Sequence, residues 1–491
     1  MATENWTVNA YSAAVCISTD EINRKLAQVF STTDDLPKQW KAHARTSKPN
    51  SKPPWEIDAE LGTPTVDFAT TQVNGVRLRI PFKGGTFTHM NVEMDGDTPV
   101  VTWPKIELAG TEIVIETPMK GVEHTATSAD TTVDDKFTVQ SLYADMENPG
   151  LLVNIKTDPK TDYEAPDTTK RTIGAVVQDL VKEPSHKDKW VIGRAKIPKV
   201  AATTGVLAPV GVRFSTYQPK EATPGSVNWN LALHGETLPD AQKNQQAGMF
   251  KANPIRSGSV GVLILSWGTI IEKIIAGKAL APFGLSGSDF NTRPTETKAE
   301  LKGHPAWQLY KQPQDDQKQI DGKYQDATIV PDVEKGGVRV EFKLINVVKH
   351  PSKSDWENWR RTPSDPQAPR AKAANVPSPT DPFTLVWKSY FKFSLGTAGQ
   401  LQLTYSASDI TPYSEGASFA RIMKSIATLG LNELTHHLDV DRMKQTVQDS
   451  LKTDTNFTDI LKAVELPGKA VFTFDELKVT DNGLEIALKY A

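Results

Sequence analysis

The chain has 491 residues, 38% hydrophobic and 23% charged, which is the balance of a folded protein. It is too long for one core of ordinary size, since such cores stop growing at roughly 250–300 residues. A net charge of -3 gathers no nucleic acid by counterion release, and the single cysteine, Cys16, excludes an intramolecular disulfide or a cysteine-rich zinc site.

Trp6, Val8 and Ala10 alternate, and the apolar run Ala13 to Ile17 reads as a strand or strand pair. Ser18 or Thr19 then offers a helix cap ahead of Asp20 and Glu21, with Ile22, Leu26, Val29 and Phe30 on one helical face. Met1 to Tyr11 lacks the basic start and apolar run of a secretory signal, so the expectation is a cytoplasmic protein whose export would need a leaderless route.

Lys48 to Pro54 is a proline-rich loop, after which Val76, Leu78, Ile80 and Phe82 alternate with Arg77, Arg79 and Pro81. Lys83-Gly84-Gly85 reads as a turn. Further strands are expected at Val100–Val101, Ile106–Leu108, Ile113–Ile115, Leu142, Leu151–Ile155 and Trp190–Ile197, with a helix carrying Ile173, Val176, Val177, Leu180 and Val181. Val227, Trp229, Leu231 and Leu233 alternate again.

Val260 to Leu265 is a fully buried strand, and Ser266 caps a helix carrying Trp267, Ile270, Ile271, Ile274 and Ile275 that Gly277 and Pro282 end. Thr292 to Asp332 reads as a long polar loop and Ser352 to Pro382 as a proline-rich insertion. Between and after them, strands recur at Val338–Leu344, Phe383–Trp387, Phe391–Leu395 and Leu401–Tyr405. Helical stripes follow: Phe419, Ile422, Met423, Ile426 and Leu429, then Leu434, Leu438, Met443, Val447 and Leu451. A hairpin closes the chain: Val471–Phe474 and Leu477–Val479, the turn Asp481-Asn482-Gly483, then Leu484 to Tyr490. The expected organisation is two modules, a strand-rich one at 1–205 and a second at 206–491, with a helical segment at 415–463 and the closing hairpin at 470–491. Pro198, Gly205, Pro209, Pro219 and Pro224 punctuate the boundary.

Catalytic chemistry finds no purchase. There is no GxxxxGK[ST] phosphate loop, no HExxH zinc helix and no GxSxG elbow, so no catalytic residue, metal ligand or cofactor is assigned and a non-enzymatic protein is expected. His436 and His437 are adjacent and point about 100° apart on a helix, unsuited to chelation. Glu93, Asp95 and Asp97 read as a polar hairpin tip or a weak calcium site, though the ligand spacing of a calcium loop is missing. Lys349, His350, Lys353, Arg360 and Arg361 beside Trp356 and Trp359 form either an anionic-headgroup contact or a solvated loop. The stripe from Trp267 to Ile275 has two readings, a dry core or the lining of a lipid-sized groove.

The order of several blocks resembles the clostridial forty-seven-kilodalton protein and OrfX-like toxin-cluster family. Asn5-Trp6-Thr7-Val8-Asn9-Ala10, Ile17, Ile22-Asn23 and Leu26 are similar to its aromatic-rich first strand and following helix. Ile57-Asp58-Ala59, Val66, the run Asn74 to Phe82 with its apolar-Pro-apolar end, and Gly84-Gly85 are similar to its next block. Val260–Phe283 and the helical end with its hairpin fit as well.

That resemblance implies an α+β fold of the tubular lipid-binding (TULIP) type, with highly curved antiparallel sheets wrapped around long amphipathic helices. It implies a lipid- or membrane-surface-binding accessory protein with no catalytic residues. The partners it implies are lipid or phosphoinositide, or other proteins encoded in the same cluster. The alternative is a protein–protein component of a toxin or secreted complex with no lipid ligand. Residues for a lipid groove, chosen from the apolar stripes, are Trp267, Ile270, Ile271, Ile274, Phe419, Ile422, Met423 and Ile426.

Overall fold

The computed structural model describes residues 8, 11–34, 36–46, 51–68, 75–124, 137–144, 152–157, 167–182, 190–198, 205–217, 225–239, 250, 253–291, 297–307, 319–349, 383–396, 401–407, 411–413, 460–461, 464–466 and 472–490. The helical segment expected at 415–463 and the insertion Ser352–Pro382 lie almost wholly outside these residues.

The described strands are antiparallel throughout and form three large sheets and one isolated hairpin. The six-stranded sheet runs in the order 209–217, 226–233, 13–18, 261–266, 483–490, 472–480. Its middle is laid down by an alternation that buries both faces. Val15, Ile17, Trp229, Leu263 and Leu265 enter one large core, while Ala14, Cys16, Val262 and Ile264 pack with Val8, Tyr11 and Phe250 in a second cluster. A ten-stranded sheet is built on Gly75–His89 and Thr111–His124, and an eight-stranded one on Gln319–Asp332, Gly337–Lys349 and Phe383–Leu395. Both contribute to the same large core.

Local rules account for the best-defined helices. Thr19–Thr32 starts where the Ser18 hydroxyl accepts from the Glu21 amide at 3.2 Å, with Asp20 and Glu21 in its positive first turn. Asp167–Lys182 buries Ile173, Val176, Val177, Leu180 and Val181, the stripe read from the sequence. On the outer side of the ten-stranded sheet, Arg77 meets Glu116 at 2.6 Å, Arg79 meets Glu112 at 2.7 Å, and both reach Asp67. The arginines that alternate with Val76 and Leu78 are therefore a half-buried cross-strand ion network.

Four expectations need correction. Lys83-Gly84-Gly85 is not a turn: one strand runs from Gly75 to His89, and the pairing shifts opposite Glu60 and Leu61. Lys83 is the extra residue of a bulge, and Gly85, at φ 107 beside it, lies so close to the Asp58 carbonyl that a Cβ would overlap it, so only glycine fits there. Thr292 to Asp332 is not one loop but holds strands at Ala299–Leu301, Ala306–Trp307 and Gln319–Asp332. The bulge between Tyr324 and Asp326 breaks the period of two, and among the described side chains of that last strand only Tyr324, Ala327 and Ile329 are buried, so the segment reads as polar.

The helix after Ser266 does begin on that side chain, which accepts from the Thr269 amide, but it does not stop at Gly277. It continues as a π-helix, Ile270–Ala279, closed by the Leu280 amide on the Ile275 carbonyl at 3.0 Å. A Cβ on Gly277 would sit 2.8 Å from the Glu272 carbonyl oxygen, so this glycine permits the widened turn. In the closing hairpin the loop is Asp481-Asn482, with Gly483 already paired to Thr480, and the outer strand is one bulged element, Phe472–Thr480. The Asn-Gly step therefore lies one position later than an ideal two-residue turn would place it.

Candidate functional site

The described residues expose large hydrophobic side chains at one place only: Met90, Val92, Met94, Val100 and Val101, at 42–65% exposure. Four of the five belong to a single antiparallel hairpin, Asn91–Asp95 with Thr98–Thr102, which pairs with no other strand among those described, and Met90 immediately precedes it. Gly96, at φ 61, opens its two-residue turn with Asp97, a position that tolerates positive φ only for residues such as glycine.

Register decides the chemistry of the two faces. Val92 stands opposite Val101 and Met94 opposite Pro99, so one face is apolar. Asn91 stands opposite Thr102, Glu93 opposite Val100 and Asp95 opposite Thr98, so the other is largely polar, and the Asn91 amide donates to Glu93 Oε1 at 2.8 Å. At the open end Met90 is held by its amide to the Pro54 carbonyl at 2.8 Å, and half-buried Trp103 lies beneath the Lys52 ammonium, 4.4 Å from its ring centroid. Between 91 and 102 the charges are Glu93, Asp95 and Asp97, with no Lys, Arg or His.

Of the eight residues proposed for a groove, four are described. Trp267, Ile270, Ile271 and Ile274 are at most 1% exposed and belong to the large core. The Trp267 indole donates to the Thr480 carbonyl at 3.0 Å, and its ring is 6.3 Å from that of Phe393. Phe419, Ile422, Met423 and Ile426 lie outside the described residues, as do His436, His437 and the basic residues after Lys349. A depression of about 160 Å³ on the outward side of the eight-stranded sheet is lined by Asp326, Thr328, Val330, Arg339, Glu341 and Lys343, a mixture of both charge signs. Among the described residues no three His, Cys, Asp or Glu side chains are grouped to hold a metal ion. No described helix is long and apolar enough to cross a membrane.

Sequence reasoning found the strand at Val100–Val101 and the polar tip, and it missed the apolar face. The signal was Met90, Val92 and Met94 alternating with Asn91 and Glu93, but alternation does not say whether anything covers the apolar side.

Together these sheets make a fold of antiparallel sheets with few helices, which agrees at that level with the sheet-rich fold the sequence resemblance implied. In particular, the chain has the fold of P47 from Clostridium botulinum. Against P47 from strain A2 the TM-score is 0.58 at 11% identity, covering 99% of this chain and 98% of that one. Against P47 of strain E1 it is 0.60 at 14% identity, covering 98% and 99%. A lipopolysaccharide binding protein aligns over 98% of the chain at a TM-score of 0.32 and 8% identity, too distant to carry an argument. No family model and no curated protein matches the sequence.

Proposed function

We propose that this is a non-enzymatic lipid- or membrane-surface-binding accessory protein, and that it meets the bilayer through the hairpin 91–102. The observation that carries this reading is the exposed face of Val92, Met94, Pro99 and Val101, with Met90 and Trp103 at its base. Burying such side chains stabilises by roughly 1.5–3 kcal/mol each when complete, so partial insertion of four of them is enough for reversible attachment. Tryptophan and lysine at the base suit a boundary between hydrocarbon and water. A stable protein interface draws on roughly 20–30 residues a side, which this narrow face does not offer by itself. The buried Trp267–Ile274 stripe supports contact at a surface over an acyl chain enclosed beside that helix.

The test is flotation with phosphatidylcholine vesicles of the unaltered protein and of the double variant Val92→Asp, Met94→Asp. Flotation that drops at least tenfold in the variant, with the circular dichroism spectrum and melting temperature kept, supports the reading. An unaltered protein that stays at the bottom of the gradient, or a variant that floats equally well, removes the hairpin from the mechanism.

A further inference from the structure

We infer that the hairpin 91–102 selects lipid surfaces without net negative charge and is held off anionic ones. This deepens the membrane reading and rests on it. The apolar face cannot approach a bilayer without bringing the tip with it, and the tip carries Glu93, Asp95 and Asp97 within five residues. All three are exposed, Glu93 and Asp95 on the face opposite Val92 and Met94, and Asp97 in the turn.

No cation within the hairpin offsets them. The positive groups that flank it lie outside it: Lys83, 3.8 Å from Glu60, and Lys105, 3.8 Å from Glu107, in sequence, and Lys52, held over the Trp103 ring at 4.4 Å. A surface that attracts lipid-bound proteins through anionic headgroups uses clustered Lys and Arg, each strengthening attachment severalfold, and the same potential acts with opposite sign on carboxylates. Three carboxylates compound to about a hundredfold at most, and to about tenfold where the tip, turned to the face opposite the apolar side chains, feels only part of that potential. Because these groups are solvated, the penalty is screened by salt. The ligand class is therefore zwitterionic or neutral lipid, with the apolar side chains supplying the attachment and the acids excluding anionic membranes.

The experiment compares binding to vesicles of phosphatidylcholine alone and to vesicles containing about a third phosphatidylserine, at low salt and at roughly 0.5 M salt. The expected result is about tenfold weaker binding to the anionic vesicles at low salt, shrinking at high salt. The triple variant Glu93→Gln, Asp95→Asn, Asp97→Asn should bring the two vesicle types within about twofold of each other. Equal or tighter binding of the unaltered protein to anionic vesicles at low salt overturns the selectivity and leaves surface binding standing. So does a preference for neutral vesicles that survives in the triple variant. Failure to bind either vesicle type overturns the selectivity together with the membrane reading.

Discussion

The Trp229 indole packs against Gly193 and donates from Nε1 to the Arg194 carbonyl at 3.2 Å. Trp229 belongs to the six-stranded sheet and Gly193 to Val191–Pro198 of the ten-stranded one, so this contact locks the two sheets at one point. A Cβ at position 193 would come 2.5 Å from Cζ2 of the ring. Gly193→Ala should therefore cost about 1–3 kcal/mol through overpacking of a fully buried ring. Trp229→Phe shortens the ring, and the double variant should lose less than the sum of the two single losses, as contacting residues do. Urea titrations of the four proteins measure it, and strict additivity would show that the contact is not the cause.

Lys273 projects from the π-helix and is 9% exposed. Its ammonium donates to the His234 carbonyl at 2.7 Å and faces Glu236 Oε1 at 3.1 Å, while Glu236 Oε2 accepts from the Leu233 amide at 2.8 Å. Removing one partner of such a pair leaves the other charge buried, so Lys273→Met should destabilise by about 3–5 kcal/mol. Adding Glu236→Gln should recover a substantial part of that loss. A double variant as unstable as the single one would show that the pair is not coupled.

Alkaline pH should weaken the fold through two buried phenols. Burial pushes the Tyr405 phenol from 10.0 up to about 12, against the opposing hydrogen bond with Ser389, and burial drives Tyr324 higher still. The folded pKa lies above the unfolded one, so the stabilisation is complete below about pH 10 and is lost as pH rises toward 12. In that window the unfolded chain gives up a proton that the folded chain keeps. For Tyr405 the loss is about 2–3 kcal/mol over those two units. Melting temperature measured from pH 9 to 12 should fall more steeply for the unaltered protein than for Tyr405→Phe. Parallel curves would refute this assignment.

Much of the fold was legible because its signals are local. Ser18 and Ser266 announced the helices they cap, and the alternation at Val227–Leu233 announced a strand. Misreadings arose where a neighbour in space altered the local period. The bulge at Tyr324 scrambled the alternation of a 14-residue strand, and Gly85 looked like a turn because its reason, the Asp58 backbone, lies on another strand.

The candidate site shows the division most directly. Val76, Leu78 and Ile80 alternate with polar residues, and so do Met90, Val92 and Met94. The sequence by itself determined the first segment as a strand with one apolar face; the second carries the same period of two, which backbone geometry alone produces, yet it was read only as a polar tip. Only the tertiary structure decided that the first face is dry at 0–2% exposure and that the second is left open at 44–65%. Exposure depends on which distant strands arrive to cover a face, and a residue's neighbours along the chain carry no record of that.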